Sequence, residues 1–336
     1  MVEFSRTGAL RILLVIVALA FLLGDSNPTA VVDAAAAADA GKPTFVVGGF
    51  PVARPIRIVA YGDMRFTDPH NQTDSNPRIR QWLVKRVLEE RPDLLLLSGD
   101  LPFRGSTAED WEIFRQETAD WRAAELRIYT TLGNHEIYTD HAAGLRNYFE
   151  NFPELQGHRW YSVQAGSVYL IALDSMSSLV DGSPQREWAR AQLAALPPEI
   201  NFVLVLSHMP MMADLQSEIV AHLPAPEQAA FRDFLEAQTR SLRAKVIVVN
   251  GHIHNYERFE HNGITYLISG GGGAKPYPIL VRGEQDLYQA SGFINFHYVV
   301  ITIDGKHASA TMYRVADPDA KDLRVEPKDF FMLDAK

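Results

Sequence analysis

Five short, largely apolar runs in this chain each lead, within two residues, to a glycine or serine that directly precedes Asp, Asn or His. The runs are Ile56–Tyr61, Leu94–Leu97, Ile128–Leu132, Phe202–Leu206 and Val246–Val249, and the polar residues after them are Asp63, Asp100, Asn134, His208, and His252 with His254. Runs of this length and apolarity are typical of buried strands. Because ligands bind beyond the carboxyl ends of strands in α/β sheets, we expect these polar residues to gather at one edge.

Helical patterns separate the strands, and this alternation predicts an α/β (α+β) fold. Pro77–Glu90 has helical periodicity, the pair Ser106 and Glu109 predicts a capping box that opens a helix through Trp121, and Gln185–Leu196 is a further helix. Other predicted strands are Trp160–Val163, Val168–Asp174, Thr265–Ile268, Tyr298–Ile303 and Ala308–Arg314. No repeat or linker divides residues 45–336, which we therefore expect to form a single catalytic domain.

The N-terminus predicts export. Arg6 and Arg11 precede the apolar run Ile12–Leu23, whose length suits a signal-peptide core and is short of the roughly 20 residues that span a bilayer. Residues 1–24 are therefore predicted to be a signal peptide or an uncleaved signal anchor, and residues 25–44 an Ala-rich tether or processed segment. We expect a periplasmic or secreted protein, with membrane contact only through this segment if it stays uncleaved.

Charge and cysteine content narrow the chemistry. Acidic residues exceed basic ones by 41 to 32, which disfavours binding to duplex nucleic acid. The chain has no cysteine, so disulfides, thiolate metal sites and cysteine nucleophiles are excluded. A metal must therefore be held by nitrogen and oxygen, a mixture that suits Mn, Fe or Zn better than Ca or Mg.

Carboxylates, an amide and several imidazoles at one sheet edge can support two-metal hydrolysis of a phosphoester. Two cations about 3.5–4 Å apart then contact the attacking oxygen and the phosphoryl oxygens, and a shared carboxylate offsets their repulsion. Two divalent ions are the predicted cofactors, and a small phosphorylated molecule is the predicted partner.

The motif order resembles the calcineurin-like metallophosphoesterase superfamily. The motifs are Gly62-Asp63, Gly99-Asp100, Gly133-Asn134-His135-Glu136, Ser207-His208 and Gly251-His252-Ile253-His254. The stretch His252–Arg258 looks particularly like the purple acid phosphatase branch. The resemblance implies a four-layer β-sandwich flanked by helices.

The resemblance also implies roles for individual residues. Asp100 would bridge the two metals, and it is predicted as catalytic on that ground. Asn134, His208 and His252 would serve the second metal, while Asp63 and His254 would serve the first. His135 would lie beyond the metals as a phosphate contact or general acid, and a metal-bound hydroxide would attack the ester.

Two positions depart from the family pattern. Many members have a histidine ligand where this chain has Arg65, and the purple acid phosphatases have a tyrosine ligand where it has Phe103. The first metal thus lacks one ligand by either template, with Asp68 and His70 as candidate substitutes. Arg65 is predicted either to hold the substrate phosphate by a two-pronged hydrogen bond or to pair with a nearby carboxylate.

The predicted function is an exported phosphoesterase that hydrolyses phosphomonoesters, with diesters left open. One alternative is a specialised diesterase for nucleotides or phospholipid headgroups, for which Met209–Glu227 would form an apolar wall over the site. Another alternative is a non-catalytic protein that binds a phosphate ligand on the same scaffold, because the first metal lacks a ligand.

Overall fold

The computed structural model describes residues 41–50, 54–214, 223–277, 279, 282–290 and 295–336. The strands are β1 (Phe45–Val47), β2 (Ile56–Tyr61), β3 (Leu94–Leu97), β4 (Ile128–Thr130), β5 (Tyr161–Ala165), β6 (Val168–Ala172), β7 (Phe202–Leu206), β8 (Lys245–Asn250), β9 (Tyr256–His261), β10 (Ile264–Ser269), β11 (His297–Asp304), β12 (His307–Val315) and β13 (Val325–Asp334). The α-helices are α1 (Pro77–Glu89), α2 (Ala108–Glu117), α3 (Ala119–Ala123), α4 (His141–Asn151), α5 (Pro184–Ala194) and α6 (Pro226–Thr239).

The predicted signal segment, residues 1–24, and most of the predicted tether lie outside the described residues. Within the described ranges, no helix combines the length and the apolarity needed to cross a membrane.

The strands form two sheets that carry helices on their outer faces. One sheet has the order β1-β5-β6-β7-β8-β10-β9, and the other has the order β13-β12-β11-β2-β3-β4. In β7, Leu204 and Leu206 pack in the cluster that contains the strands of the second sheet, whereas Val203 and Val205 pack with Trp188 of α5 and Phe234 of α6. Successive side chains of a strand point to opposite faces, so an all-apolar strand packs against the other sheet on one face and against helices on the other. The predicted mixed α/β, four-layer fold is confirmed.

Capping residues determine where several helices begin. The Asn76 side chain accepts from the Ile79 N–H ahead of α1, and Asp140 accepts from the Ala143 N–H ahead of α4. Proline stands in the first turn of α1, where its missing N–H costs nothing.

The predicted capping box at Ser106 is wrong. Helix α2 begins at Ala108 with Thr107 as its N-cap, and the Ser106 hydroxyl bonds to the Thr139 hydroxyl instead, at 2.6 Å. The helix also ends at Glu117 rather than continuing to Trp121. The Thr118 hydroxyl donates to the Phe114 carbonyl at 2.6 Å, and a separate short helix follows.

The parallel strands bring the sequence motifs together. Strands β2, β3 and β4 pair in parallel, as do β7 and β8, so each group ends at a common edge. The two edges meet where Asp100, after β3, faces His208, after β7, with Asp100 Oδ1 3.3 Å from His208 Nε2. Beside this contact, the backbone of Gly133 passes Asp100. A Cβ on Gly133 would lie 2.3 Å from Asp100 Oδ1 and 2.6 Å from its backbone nitrogen. Glycine is therefore required here for close approach rather than for its dihedral freedom.

We predict that Gly133→Ala lowers the free energy of unfolding by roughly 1–3 kcal/mol, because the added methyl group forces the two loops apart. Thermal and denaturant unfolding measure this loss. Gly48→Ala is the matched control, since a Cβ there meets nothing within 4 Å. Equal stability of the two variants would contradict the close approach at Gly133.

Candidate metal centre

Four side-chain atoms from four loops converge on one point beyond the strand ends. Asn134 Oδ1 lies 3.0 Å from His208 Nε2 and 3.1 Å from His252 Nδ1. The two imidazole nitrogens are 3.2 Å apart, and Asp100 Oδ1 lies 3.3 Å from His208 Nε2. We call Asp100, Asn134, His208 and His252 the second set.

These separations fit a bound cation. Nitrogen and oxygen ligands lie about 2.0–2.2 Å from Zn²⁺ and similar ions, so neighbouring ligands of one ion are about 3.0–3.4 Å apart. His208 Nδ1 donates to the Ser98 carbonyl at 2.8 Å, which leaves the lone pair of Nε2 facing the centre. Burial lowers the pKa of His208, so the ring is kept in the neutral form that binds metals. The second set therefore has the donors and the spacing that a divalent metal requires, and His208 has the matching protonation.

Asp100 connects this set to its surroundings. Its Oδ1 accepts from the His135 backbone N–H at 2.9 Å, and its Oδ2 lies 3.0 Å from Arg65 Nη2. Burial raises the pKa of Asp100, but the charges of His208, Arg65 and His135 outweigh burial and hold this pKa below its ordinary range. The carboxylate is thus kept ionised in a fully buried position.

Glu136, for which the sequence predicted no role, holds the backbone of two loops of the centre. Its carboxylate accepts backbone N–H bonds from Asp100 at 3.0 Å, Leu101 at 2.7 Å and Gly133 at 2.6 Å. Burial and the nearby charge of Asp100 raise its pKa to about 8. The sequence signal that could have indicated this role is the position of Glu136 at the end of the Gly-Asn-His-Glu motif. A buried acid near a glycine turn can accept backbone N–H groups from two neighbouring loops.

The first set consists of Asp63, Asp100 and His254. His254 Nε2 lies 3.5 Å from Asp63 Oδ1, and the Asp63 carboxylate accepts the His252 backbone N–H at 3.0 and 3.1 Å. Burial and the charge of Asp100 raise the pKa of Asp63, while burial and the charge of Arg65 lower that of His254. The guanidinium of Arg65 contacts both Asp100 and His254, so a metal ion does not fit this set as it stands.

Ligand atoms of Asp63, Asp100 and His208 also lie within 4.8 Å of one another. The structure thus brings together all six residues that the sequence singled out as metal ligands. Three of them, Asp63, Asp100 and His252, have positive φ angles of 59°, 53° and 70°. Such angles are uncommon for residues other than glycine and cluster at functional sites.

His135 lies at the edge of the centre, between two aromatic rings. It stacks on Phe103 and Tyr138 at centroid distances of 5.5 and 5.6 Å, and its Nδ1 donates to the Phe103 carbonyl at 2.6 Å. Its Nε2 lies 4.0 Å from Asp100 Oδ2. Burial lowers the pKa of His135 and the charge of Asp100 opposes this effect. The hydrogen bond to Phe103 thus directs Nε2 toward the centre.

The predicted substitutes for the missing ligand lie elsewhere. Asp68 and His70 are exposed and bond to each other at 2.8 Å. Of the predicted wall Met209–Glu227, Met211 and Met212 are buried in the core cluster beside Ile253, and residues 215–222 lie outside the described residues. Sequence reasoning also missed Tyr277, whose ring stacks on His254 at 4.2 Å.

Comparisons with known proteins identify the family. Residues 57–256 match the family profile of calcineurin-like phosphoesterases. Purple acid phosphatase 1 of Ipomoea batatas is 32% identical over 152 residues, which are 41% of this chain and 30% of that protein. Purple acid phosphatase 15 of Arabidopsis thaliana is 25% identical over 260 residues, which are 66% of this chain and 46% of that protein.

A purple acid phosphatase from seeds of yellow lupin (Lupinus luteus) shares the fold. Its TM-score is 0.66 at 18% identity, over 85% of this chain and 55% of that chain. This chain therefore spans about half or less of the length of these relatives.

We predict that His252→Ala weakens Mn²⁺ binding by more than about 100-fold, because even residues that only orient a ligand contribute 10–100-fold to metal affinity. Calorimetric titration of the metal-free protein measures this change. His307→Ala is the control, because His307 is exposed and paired with Asp334. Unchanged affinity in His252→Ala would exclude His252 as a ligand.

Proposed function

The chain belongs to the calcineurin-like phosphoesterase family, and we propose that it is a metal-dependent hydrolase of phosphomonoesters. The observation that carries this proposal is the convergence of four donor atoms at 3.0–3.3 Å, with His135 Nε2 beside them. A neutral binding pocket would not need two imidazoles and a buried carboxylate around one point.

In this proposal Asp100, Asn134, His208 and His252 hold a divalent ion, with Mn, Fe or Zn as candidates. When bound, such an ion supplies Lewis acidity toward the phosphoryl oxygen and lowers the pKa of a water so that hydroxide can act as nucleophile. The second ion of the predicted pair would need the first set of Asp63, Asp100 and His254, two of which Arg65 contacts.

His135 is proposed to act on the leaving group. Because its Nδ1–H is bonded to the Phe103 carbonyl, the proton that it can donate is the one at Nε2. The stacked rings of Phe103 and Tyr138 hold the imidazole in this orientation. In its protonated form the ring would give this proton to the departing oxygen, and it would also contact the phosphate.

Residues 45–336 are proposed to act as one catalytic domain, since a single core cluster includes residues from Ile56 to Leu333. Export is proposed from the pattern of Arg6, Arg11 and Ile12–Leu23, all of which lie outside the described residues. The expected partner is a small phosphorylated molecule. Membrane contact would occur only through the N-terminal segment if it stays uncleaved, and duplex nucleic acid is not an expected ligand.

A nucleotide substrate, monoester or diester, is the second candidate, and Tyr138 favours it. Its ring stacks on His135, and the residue is 55% exposed, unlike most large aromatic residues in the described ranges. Exposed aromatic rings stack on nucleobases with about 1–3 kcal/mol per base. Tyr138→Ala should then raise KM for a nucleoside phosphate more than KM for glycerol phosphate, because loss of the stack on His135 affects both substrates and loss of base stacking affects only the nucleotide. Equal effects on both would exclude base stacking.

We predict that His135→Ala lowers turnover of phosphomonoesters by roughly 10²–10⁴-fold while metal content stays unchanged, because His135 is beyond the ligand atoms. The loss should be smaller for esters with acidic leaving groups, which need less protonation. Steady-state kinetics on a series of aryl and alkyl phosphates, with elemental analysis of each protein, measure both effects.

His158→Ala is the control, because His158 packs on Phe45, away from the centre. A uniform loss across leaving groups would contradict the proton-donor role of His135. Absence of hydrolysis by the metal-loaded wild-type protein on monoesters, diesters and nucleotides would contradict the enzyme proposal and favour the phosphate-binding alternative.

A further inference from the structure

The guanidinium of Arg65 lies among the side chains of the first set. Its Nη2 lies 3.0 Å from Asp100 Oδ2 and 3.3 Å from His254 Nε2. His254 Nδ1 donates to the Lys275 carbonyl at 2.7 Å, so the nitrogen that meets Arg65 carries the lone pair. The guanidinium therefore takes up one oxygen and one nitrogen that a first metal ion would need.

The backbone and side chain of Arg65 are held in this position. Its N–H donates to the Asp100 carbonyl at 3.1 Å, and its carbonyl accepts from Arg80 Nη1 at 3.0 Å. Arg80 is itself fully buried and paired with Glu117 at 2.7 Å. The backbone of Arg65 adopts a φ of 53°, and its side chain is only 10% exposed. Arg65 is thus built into the centre rather than lying across its entrance.

Phe103, the other residue that departs from the family pattern, lies beside Arg65. The ring of Phe103 lies 5.9 Å from the Arg65 guanidinium, within the range of a cation–π interaction. A purple acid phosphatase has a tyrosine ligand at the position of Phe103. Here a permanent cation and an apolar ring face each other, where the family pattern has a metal ion and an anionic oxygen.

We propose that the guanidinium of Arg65 takes the place of the first metal ion, so that each chain binds one divalent ion, in the second set. The fixed charge of Arg65 then supplies the second positive charge for the substrate phosphate, which rests on the proposed phosphoesterase function. Arginine stays protonated at all accessible pH values, so a divalent ion brought to the first set would meet a like charge.

The chemistry of the guanidinium suits this role. It is planar and permanently charged, so it pairs with phosphate oxygens better than a lysine ammonium does. The Arg65 side chain is 10% exposed, whereas its Nε is buried, so the exposed part lies at the end of the guanidinium.

The test counts ions per chain. The full chain is stripped of metal and titrated with Mn²⁺, and the bound ions are counted by calorimetry and elemental analysis. Electron paramagnetic resonance distinguishes an isolated Mn²⁺ from an exchange-coupled pair. We expect one ion and an uncoupled six-line spectrum for the wild type. We expect two ions and a coupled spectrum for Arg65→His, because histidine is a metal ligand and tolerates a positive φ.

Two control variants isolate the cause. Arg65→Lys keeps the charge, so this variant should still bind one ion per chain. Arg104→His places a histidine next to Phe103 in sequence, at a residue whose guanidinium lies 5.2 Å from the Phe103 ring. This variant should also bind one ion per chain. Two ions in the wild type would overturn the proposal, as would one ion in a folded Arg65→His. If Arg65→His does not fold, the wild-type count alone decides.

These outcomes are independent of the proposed function. A wild-type chain with one ion that hydrolyses no ester would overturn the enzyme proposal and leave the replacement of the metal by Arg65 standing. A chain with two ions that hydrolyses phosphomonoesters would overturn the replacement of the metal by Arg65 and leave the enzyme proposal standing.

Discussion

One buried carboxylate, that of Asp100, connects the two sheets at their carboxyl ends. It follows β3, accepts the His135 N–H from the loop after β4, and faces His208, which follows β7 of the other sheet. A buried carboxylate costs several kcal/mol unless it is paired and hydrogen-bonded. The loops must therefore keep their partners directed at Asp100, and the close approach at Gly133 is a consequence of that requirement.

Two further acidic side chains, Glu136 and Asp63, lie beside Asp100, and burial together with the charge of Asp100 raises the pKa of both. Glu136 is stabilised by three backbone N–H groups, and Asp63 accepts the backbone N–H of His252. Neutral donors of this kind lower the cost of burial but cancel no charge. Positive charge favours the ionised form of these groups, and Arg65 supplies it beside Asp100. A cation bound by the second set would add to this effect, so cation binding would also strengthen the contacts that hold the loops together.

The fold and the ligand positions could be predicted because each apolar run ends in a short polar motif, and parallel pairing places the ends of such runs together. Strand β13 escaped prediction because Phe330 and Met332, on its exposed face, interrupt the alternation of apolar and polar residues. The capping box at Ser106 failed because a distant hydroxyl, Thr139, competes for that side chain. Contacts between residues far apart in sequence are not visible in local patterns.

The contacts of Arg65 inside the centre could not be predicted from local sequence patterns either. Both interpretations of this residue, a phosphate contact and an ion pair, followed from its chemistry, but only the fold places Nη2 between Asp100 and His254. These partners are 35 and 189 residues away in sequence. Residue types therefore define which ligands are available to a metal, while the placement of one neighbouring cation decides how many ions they can hold. A single substitution in a loop can thus change the number of ions without altering either sheet, because the loop backbone is held by Asp100 and Arg80 and not by the metal.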